Sequence, residues 1–485
     1  MNEAIKNLEP KKLWQHFADL NAVPRGSKKE ERVIEFMKDF GKNLGLETIE
    51  DEVGNVIIQK PATAGMEDRK GVVLQSHLDM VHQKNSDTDF NFDTQGIDMY
   101  IDGDWVRARG TTLGADNGLG VAAIMAILES DSIPHPSIDA LFTIDEETGM
   151  TGAMGLKGGV LKGEILLNLD TEEDDEIGVG CAGGIDVTAS RSYQQEKCSD
   201  NSEAYAITVK GLKGGHSGMD IHLGLGNANK MMNRLLFAVN KMCSISSLLG
   251  GSLRNAIPRE STVTVVVNKD KVDQFLSGIE KTRLEILEEF KLLDPDLEIL
   301  SEKLESVPET TMNNSDQDAF IRAIFGTHNG VYRMSPAIGD LVEASNNLAK
   351  VTLNDGTITI ECLTRSSVES SKMDMAYTLQ SVFELAGFNV NLTGGYPGWA
   401  PNMDSAILKV MDSLYETING KKAIVAACHA GLECGILGTN YPGMDMISFG
   451  PTIKGAHSPD ERASISSTKK FWIFVLEILK NIPVK

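Results

Sequence analysis

The segment Val72–Gln83 has the sequence VVLQSHLDMVHQ. It begins with an apolar run of the kind found in strands that are buried on both faces of a parallel sheet. It ends in His77, Asp79 and His82, so a buried strand finishes in an imidazole and a carboxylate two positions apart. Sites in open parallel sheets form outside the carboxyl ends of the strands. The segment therefore predicts a parallel sheet with a site at this edge.

Three further apolar runs resemble this one, at residues 138–144, 164–170 and 445–450. Each leads into groups that can titrate or bind a metal. Those groups are Asp145, Glu146, Glu147, Asp170 and, after a loop, His457. Asp116 joins them because GTTLGADNGLG places it in a glycine-rich turn before a helix. Since strand ends of a parallel sheet share one edge, we expect these side chains to converge.

Helical periodicity separates the strands, with helices predicted at 13–46, 115–130 and 466–482. Strands that alternate with helices indicate an α/β domain. We predict a largely parallel, mixed sheet covered by helices on both faces.

The middle of the chain follows another pattern. The segments AYAITVKGL, STVTVVVNK and GTITIECL alternate polar and apolar residues, which is typical of antiparallel sheets with one solvent-exposed face. Helices are predicted among them at 225–243, 271–292, 316–325 and 370–387. We predict an inserted α+β lid domain of two subdomains. The resulting division is 1–185 and 396–485 for the α/β domain and 186–395 for the insertion.

Composition narrows the class of protein. A chain of 485 residues is long enough for two or more domains. Its net charge of −23 argues against nucleic acid or an anionic membrane as a partner. The 6 cysteines form no CxxC pair. The amino terminus lacks an apolar signal segment, and FWIFVLEIL (471–479) is too short to span a bilayer. These features predict a reduced, cytoplasmic protein.

The converging groups have the chemistry of a metal site. Imidazoles and carboxylates without a thiolate suit Zn²⁺, Mn²⁺ or Co²⁺. Five candidate ligands exceed what one four-coordinate ion with an open position needs, and they suit two ions if one carboxylate bridges. The candidates are His77, Asp116, Glu147, Asp170 and His457. Ions roughly 3.5–4 Å apart can share and deprotonate a water and polarise a carbonyl.

Each candidate also has a simpler interpretation. An isolated HxD motif is more often structural than metal-binding. Asp116 has the position of a helix N-cap, and the pair Glu146–Glu147 resembles ordinary solvated surface. The glutamates, however, follow the buried run ALFTI, where bare charge is uncommon. It is the conjunction of such groups at every strong strand end that favours a metal site.

A series of motifs, in order along nearly the whole chain, strengthens this interpretation. The motifs are SHLDMV, GTTLGADNGLGVA, FTIDEETGMTGA, LLNLDTEE, GLKGGHSGMDI and GAHSPDE. Together they resemble the cytosolic aminoacyl-histidine (Xaa-His) dipeptidases of the di-zinc metallopeptidase superfamily that includes carboxypeptidase G. The series is far more specific than any one motif.

The resemblance implies a role for each member of the cluster. Asp116 would bridge two ions, with His77 and Asp170 completing one site. Glu147 and His457 would complete the other. Asp79 would hold the His77 ring in place, and Glu146 would act as the general base.

In the insertion, the resemblance implies that His216 of KGGHSGMD stabilises the oxyanion of the tetrahedral intermediate. Asn255 and Arg365 are candidates for substrate binding, because a guanidinium can hold a carboxylate in bidentate fashion. In a simpler interpretation, each of the two is an ordinary polar residue at the surface. His429 and Glu433 of HAGLECG receive no role. No role is predicted for the remaining histidines, His16, His82, His135, His222 and His328.

The leading hypothesis is a metallo-dipeptidase with two divalent ions, zinc first among them and manganese or cobalt as alternatives. Its substrates would be small unblocked dipeptides, Xaa-His among them, attacked by a metal-bridged hydroxide. A second hypothesis is a related amide hydrolase, such as an N-acyl amino acid deacylase or a tripeptidase. A third is a metal-binding regulatory protein without turnover, which the presence of Glu146 disfavours. The sequence leaves open whether the protein is a monomer or a homodimer.

Overall fold

The computed structural model describes residues 2–485. The chain forms two compact units. The first contains the chain up to Gly180 together with Trp399–Ala427 and Leu432–Lys485. The second contains Cys181–Gly398 and the short segment Cys428–Gly431. That short segment is a feature that the predicted division did not include.

The part of the first unit that precedes the insertion alternates strands with helices. Its helices are α1 (Glu3–Lys6), α2 (Lys11–Leu20), α3 (Glu31–Asn43), α4 (Ala115–Glu129) and α5 (Thr151–Gly155). Its strands are β1 (Glu47–Glu50), β2 (Val56–Lys60), β3 (Val72–His77), β4 (Met99–Asp102), β5 (Trp105–Ala108), β6 (Ile138–Thr143), β7 (Ile165–Asn168) and β8 (Glu176–Cys181).

The second unit is rich in strands. These are β9 (Gly183–Ser192), β10 (Gln195–Lys197), β11 (Ser202–Lys210), β12 (Gly215–His216), β13 (Cys243–Gly250), β14 (Ala256–Ile257), β15 (Ser261–Asn268), β16 (Glu298–Lys303), β17 (Thr310–Met312), β18 (Gly330–Met334), β19 (Val342–Asn354), β20 (Thr357–Ser366) and β21 (Asn389–Tyr396). Its helices are α6 (Ala228–Val239), α7 (Val272–Phe290), α8 (Asn314–Gly326) and α9 (Glu369–Leu385).

The chain then completes the first unit. The remaining elements are α10 (Ala406–Asn419), β22 (Ile424–Cys428), α11 (Glu433–Asn440), β23 (Asp445–Ser448), β24 (Ile453–Lys454), β25 (Arg462–Ser464) and α12 (Ile465–Lys480). Among the described residues, no helix combines the length and the apolarity needed to cross a bilayer.

The first unit contains the predicted mixed sheet. Its eight strands have the order β1-β2-β6-β3-β7-β23-β8-β22. The central strands β6, β3, β7 and β23 are parallel, and antiparallel strands flank them. Every residue of β3 and β6 is buried, which explains their continuous apolar sequences. The predicted α/β fold is confirmed.

The second unit contains a nine-stranded sheet whose main path is β16-β11-β15-β13-β19-β20-β9-β21. Helices α6 and α7 pack on β11 and β15–β16, whereas α9 packs on β9 and β19–β21. Two α+β halves therefore share one continuous antiparallel sheet, joined where β13 pairs with β19.

The predicted helix over 13–46 is wrong in its middle. Helix α2 ends at Leu20 and α3 begins at Glu31, so a loop separates two helices. Pro24 lies in this loop and disfavours helical backbone at the residue before it. Each of the two helices has apolar residues at helical spacing because each buries one face within the first unit.

Candidate active site

The side chains that follow the parallel strands of the first unit come together. Ligand atoms of His77, Asp116 and Asp170 all lie within 4.8 Å of one another. The same limit holds for Asp116, Glu147 and His457. Both groups contain Asp116, and each adds one imidazole and one further carboxylate.

Asp116 is central because each of its oxygens faces a different imidazole. Oδ1 lies 3.2 Å from Nε2 of His77, and Oδ2 lies 3.2 Å from Nε2 of His457. Each imidazole also has a further carboxylate beside it. Nε2 of His77 is 3.5 Å from Oδ1 of Asp170, and Nε2 of His457 is 2.9 Å from Oε2 of Glu147.

Asp116 lies in the first turn of α4, where the backbone is not helical and presents the carboxylate to the cluster. Asp116 has the non-helical angles φ −79° and ψ 112°. Gly114 precedes it with φ 70°, a conformation that glycine adopts without strain. The N-cap residue of α4 is Gly114, and the hydrogen-bond partners of the Asp116 carboxylate are the imidazoles of His77 and His457. The N-cap interpretation therefore fails, and the carboxylate is available to the imidazoles.

Asp79 supports two parts of the cluster at once. Its buried carboxylate lies 3.3 Å from Nδ1 of His77, which leaves Nε2 of that ring to face Asp116. The same carboxylate accepts hydrogen bonds from the backbone N–H groups of Glu146 and Glu147, at 3.0 and 3.2 Å. Although burial opposes it, the hydrogen bond with His77 lowers the pKa of Asp79. Asp79 thus orients one imidazole and the backbone of two glutamates.

Glu146 is half-buried beside the cluster. It lies in a group with His77 and Glu147 but shares none with Asp170 or His457. Desolvation raises its pKa well above the usual carboxyl value, and the negative charges of Asp170 and Glu433 act in the same direction. A carboxylate with a raised pKa is a better proton acceptor near neutral pH.

Neighbouring carboxylates raise the pKa of both imidazoles. Hydrogen bonds to Asp116 and Glu147 raise the pKa of His457 to about 11. Burial opposes the charge on His77, but Asp170 and Asp116 raise its pKa well above the usual value. Burial raises the pKa of Asp170 to about 6. The cluster is a dense, partly desolvated collection of negative charge that cations stabilise.

The residues fit two divalent ions. The donors are imidazole nitrogens and carboxylate oxygens, which Zn²⁺, Mn²⁺ and Co²⁺ accept. Oε1 of Glu147 is buried and has no hydrogen-bond partner in residues 2–485. A buried carboxylate oxygen without a partner is costly unless a cation or donor satisfies it. The shared carboxylate of Asp116 has one oxygen for each group.

A row of buried polar side chains, for which the sequence predicted no role, joins Glu433 to the central strands β3, β6, β7 and β23. Glu433 is 0% exposed, and its Oε2 accepts from Nε2 of Gln75 and Oγ1 of Thr143, both at 2.6 Å. Oε1 of Gln75 accepts from Nδ2 of Asn168 at 2.6 Å, and Ser448 donates to Asn168. Burial raises the pKa of Glu433 to about 8. The feature of the sequence that could have indicated this row is a polar residue within each otherwise apolar strand, namely Gln75, Thr143, Asn168 and Ser448.

The second unit brings its own three candidates together. His216 pairs with Ala256 between β12 and β14, and the carbonyl of Asn255 accepts from the N–H of Ser217 at 2.8 Å. The buried guanidinium of Arg365 lies 3.4 Å from Oγ of Ser217 and donates to the hydroxyl of Tyr396 at 2.8 Å.

The hydrogen bonds of His216 assign its tautomer. Nδ1 accepts from the backbone N–H groups of Gly218 and Met219, at 3.2 and 3.0 Å. Burial, followed by the charge of Arg365, lowers the pKa of His216. The neutral ring therefore carries its proton on Nε2, which makes that atom a donor.

Two other histidines have structural contacts. Nε2 of His429 lies 2.7 Å from Oγ of Ser345, and burial lowers its pKa to about 3. Its carbonyl oxygen lies 2.0 Å from where a Cβ of Gly218 would be, so this approach requires glycine. His82 stacks on Phe92 with ring centroids 4.2 Å apart. His82 belongs to none of the ligand groups formed by the described residues.

Comparison with known proteins adds independent information. Residues 73–481 match the model of peptidase family M20/M25/M40. The chain is 44% identical over 484 residues to the cytosol non-specific dipeptidase of Escherichia coli (strain K12), covering 99% of both chains.

Solved structures give the same picture. The crystal structure of aminoacylhistidine dipeptidase from Vibrio alginolyticus superposes with a TM-score of 0.93 at 44% identity, covering 100% of both chains. The aminopeptidase PepT from Bacillus cereus superposes with a TM-score of 0.57 at 16% identity, covering 98% of this chain and 99% of that one. The second likeness concerns the fold alone.

Proposed function

The chain belongs to peptidase family M20/M25/M40, and from this membership and the ligand cluster we propose that it is a metal-dependent dipeptidase. It hydrolyses the peptide bond of short unblocked dipeptides, as its 44% identical relatives named as dipeptidases support. The observation that carries the proposal is Asp116. Its two oxygens face two imidazoles, each with a further carboxylate, beside the half-buried Glu146.

The proposal assigns each ligand to one of two ions. His77 and Asp170 would hold one ion, Glu147 and His457 would hold the other, and Asp116 would contribute to both. Zinc is the first choice and manganese or cobalt the alternatives, because the nitrogen and oxygen donors do not discriminate among them. When bound, such paired ions activate a water near neutral pH and polarise the scissile carbonyl.

The proposed protein chemistry centres on Glu146. Its carboxylate accepts the proton of the attacking water, and the raised pKa suits this task. The same carboxyl group then donates the proton to the leaving amine nitrogen. Asp79 keeps Glu146 in position through the backbone N–H at 3.0 Å.

Residues of the second unit are proposed to act on the substrate. The Nε2–H of His216 donates to the oxyanion, and the assigned tautomer supports this role. The guanidinium of Arg365 binds the terminal carboxylate of the dipeptide. Asn255, next to the β12–β14 pair, contacts the substrate backbone.

We propose that Xaa-His dipeptides are among the preferred substrates and that the protein acts in the cytoplasm. The names of the relatives support both points, since one is an aminoacylhistidine dipeptidase and another a cytosol dipeptidase. Related amide hydrolases remain the alternative.

A substrate panel tests the proposal. Chelated protein is assayed against dipeptides, tripeptides and N-acyl amino acids before and after Zn²⁺, Mn²⁺ or Co²⁺ is added. Metal-dependent cleavage of free dipeptides, with Xaa-His among the best, is expected. Preferential cleavage of tripeptides or N-acyl amino acids would favour the alternative hydrolases. Metal binding without any cleavage would favour a regulatory protein.

A further inference from the structure

Arg25 is a buried cation that bonds to segments carrying two of the metal-ligand candidates. It lies in the loop between α2 and α3 and is 1% exposed. Nη1 donates to the carbonyls of Leu78 and Asp79 at 3.0 and 3.1 Å, directly after His77. Nη2 donates to the carbonyl of Gly114 at 2.5 Å. A buried guanidinium needs such acceptors, because desolvation of an unpaired charge is costly.

Glu461 is a buried anion that bonds to the other side of the same turn. It is 2% exposed and follows the ligand candidate His457 by four residues. Each of its oxygens accepts two backbone N–H groups. Oε2 accepts from Leu113 and Gly114 at 2.7 and 3.0 Å, and Oε1 accepts from Ala115 and Asp116 at 2.7 and 3.3 Å.

The turn at 113–116 is therefore held from both sides. Arg25 donates to a carbonyl of the turn, and Glu461 accepts hydrogen bonds from the N–H groups of the turn. Gly114 permits the approach, since a Cβ there would lie 2.5 Å from Nη2 of Arg25. The bonds also join three segments distant in sequence, which contain His77, Asp116 and His457.

We propose that Arg25 and Glu461 are positioning residues that hold the 113–116 turn so that both oxygens of Asp116 face the ions. The inference rests on the proposed function in taking Asp116 as the bridging ligand. Neither side chain touches an ion or the substrate. Their effect is on metal affinity, through the backbone that presents the carboxylate.

Zinc binding by Glu461→Gln tests this inference. The amide places an NH₂ group where one oxygen accepted two N–H groups, so the turn is no longer held on that side. Zn²⁺ dissociation constants are measured on chelated full-length protein by competition with a chromophoric chelator. Loss of such a support typically weakens metal binding about tenfold or more, and this increase is the expected result.

Asp139→Asn is the matched control. Asp139 is also buried, and its Oδ2 also accepts two backbone N–H groups, from Lys162 and Gly163 at 2.6 and 2.9 Å. It lies in register with Val73, toward the opposite end of β3 from His77. A purely structural role would lower the melting temperature of both metal-free variants and leave both Zn²⁺ constants unchanged. Only Glu461→Gln is expected to change the constants.

Arg25→Lys provides a second variant that keeps the charge but loses the forked geometry. It too is expected to weaken Zn²⁺ binding. Unchanged constants in Glu461→Gln, or in Arg25→Lys should Glu461→Gln not fold, would overturn the inference. Because Zn²⁺ binding is measured without substrate, a protein that binds zinc but cleaves no dipeptide would refute the proposed function alone.

Discussion

Oδ2 of Asp116 lies 3.2 Å from Nε2 of His457, although 341 positions separate the two residues in the chain. The other oxygen of the same carboxylate lies 3.2 Å from His77. One short side chain thus connects two ligand groups, and the proposed chemistry depends on it more than on any other ligand.

Removing this carboxylate should affect both ions. We expect Asp116→Ala to lose both metal ions, because each ligand group then lacks the oxygen that Asp116 provides. His457→Ala should lose mainly one ion. Metal content is measured by elemental analysis after dialysis against low zinc. Two ions per chain in Asp116→Ala would contradict the bridging role.

Glu146→Gln should separate proton transfer from metal binding. The amide cannot accept a proton, so the rate of dipeptide hydrolysis should fall by about 10² to 10⁴. Metal content should equal that of the wild type, because Glu146 is proposed not to be a ligand. Retained activity would refute the role of Glu146 as the general base, and loss of metal would indicate that Glu146 coordinates an ion.

His216→Ala should lower kcat by about 10² to 10³ with little change in KM, since an oxyanion donor acts mainly in the transition state. Steady-state kinetics on a free dipeptide measure the effect. His222→Ala is the matched control, because His222 is an exposed histidine a few residues away. Equal kcat and KM values for the two variants would show that His216 has no role in the mechanism.

Arg365→Lys tests recognition of the substrate carboxylate. Lysine keeps the charge but loses the bidentate fork, so KM for a free dipeptide should rise about tenfold or more. The matched comparison is the dipeptide amide, which lacks that carboxylate. The amide should bind the wild type poorly and respond little to the substitution. An equal loss for both substrates would argue that Arg365 has only a structural role.

His429 should make the stability of the protein depend on pH. Burial lowers its pKa to about 3 from the usual 6.5, so between these values the unfolded chain binds a proton that the folded protein does not. Stability contributed by the neutral ring is therefore lost as pH falls through this window. Urea unfolding of metal-free protein at about pH 7 and about pH 5 should show a smaller acid destabilisation in His429→Gln.

Ser345→Ala provides the comparison for His429. It removes the hydroxyl 2.7 Å from Nε2 but keeps the buried imidazole. This variant should lose stability at both pH values and keep the wild-type pH dependence. The same pH dependence in His429→Gln and the wild type would show that His429 does not cause it.

Much of the first unit follows from local patterns. The apolar runs at Val72–His77 and Ile138–Thr143 predicted buried parallel strands, because only such strands are covered on both faces. The position of an acid or histidine directly after a strand is also local information. For that reason His77, Glu147 and Asp170 could be placed at one edge of the sheet before the structure was known.

Apolar spacing alone missed both a local helix breaker, Pro24, and contacts with groups that are distant in sequence. Apolar spacing predicted one helix over 13–46, yet the chain leaves the helix after Leu20. In that loop Arg25 bonds to carbonyls of Leu78 and Gly114, which no feature near residue 25 indicates. Helices α10 and α11 were also not predicted, although α11 begins at the buried Glu433.

By itself the sequence determined which residue types stand at the strand ends, and therefore the class of fold and the kind of ligands. The tertiary structure alone decided that Asp116 faces two imidazoles and makes no helix cap, and that Glu433 lies in a buried polar row. The physical reason is the distance along the sequence between the groups that determine each feature. Strand burial is encoded within a few residues, whereas the backbone that carries the Asp116 carboxylate bonds to groups far away in the sequence, such as Glu461.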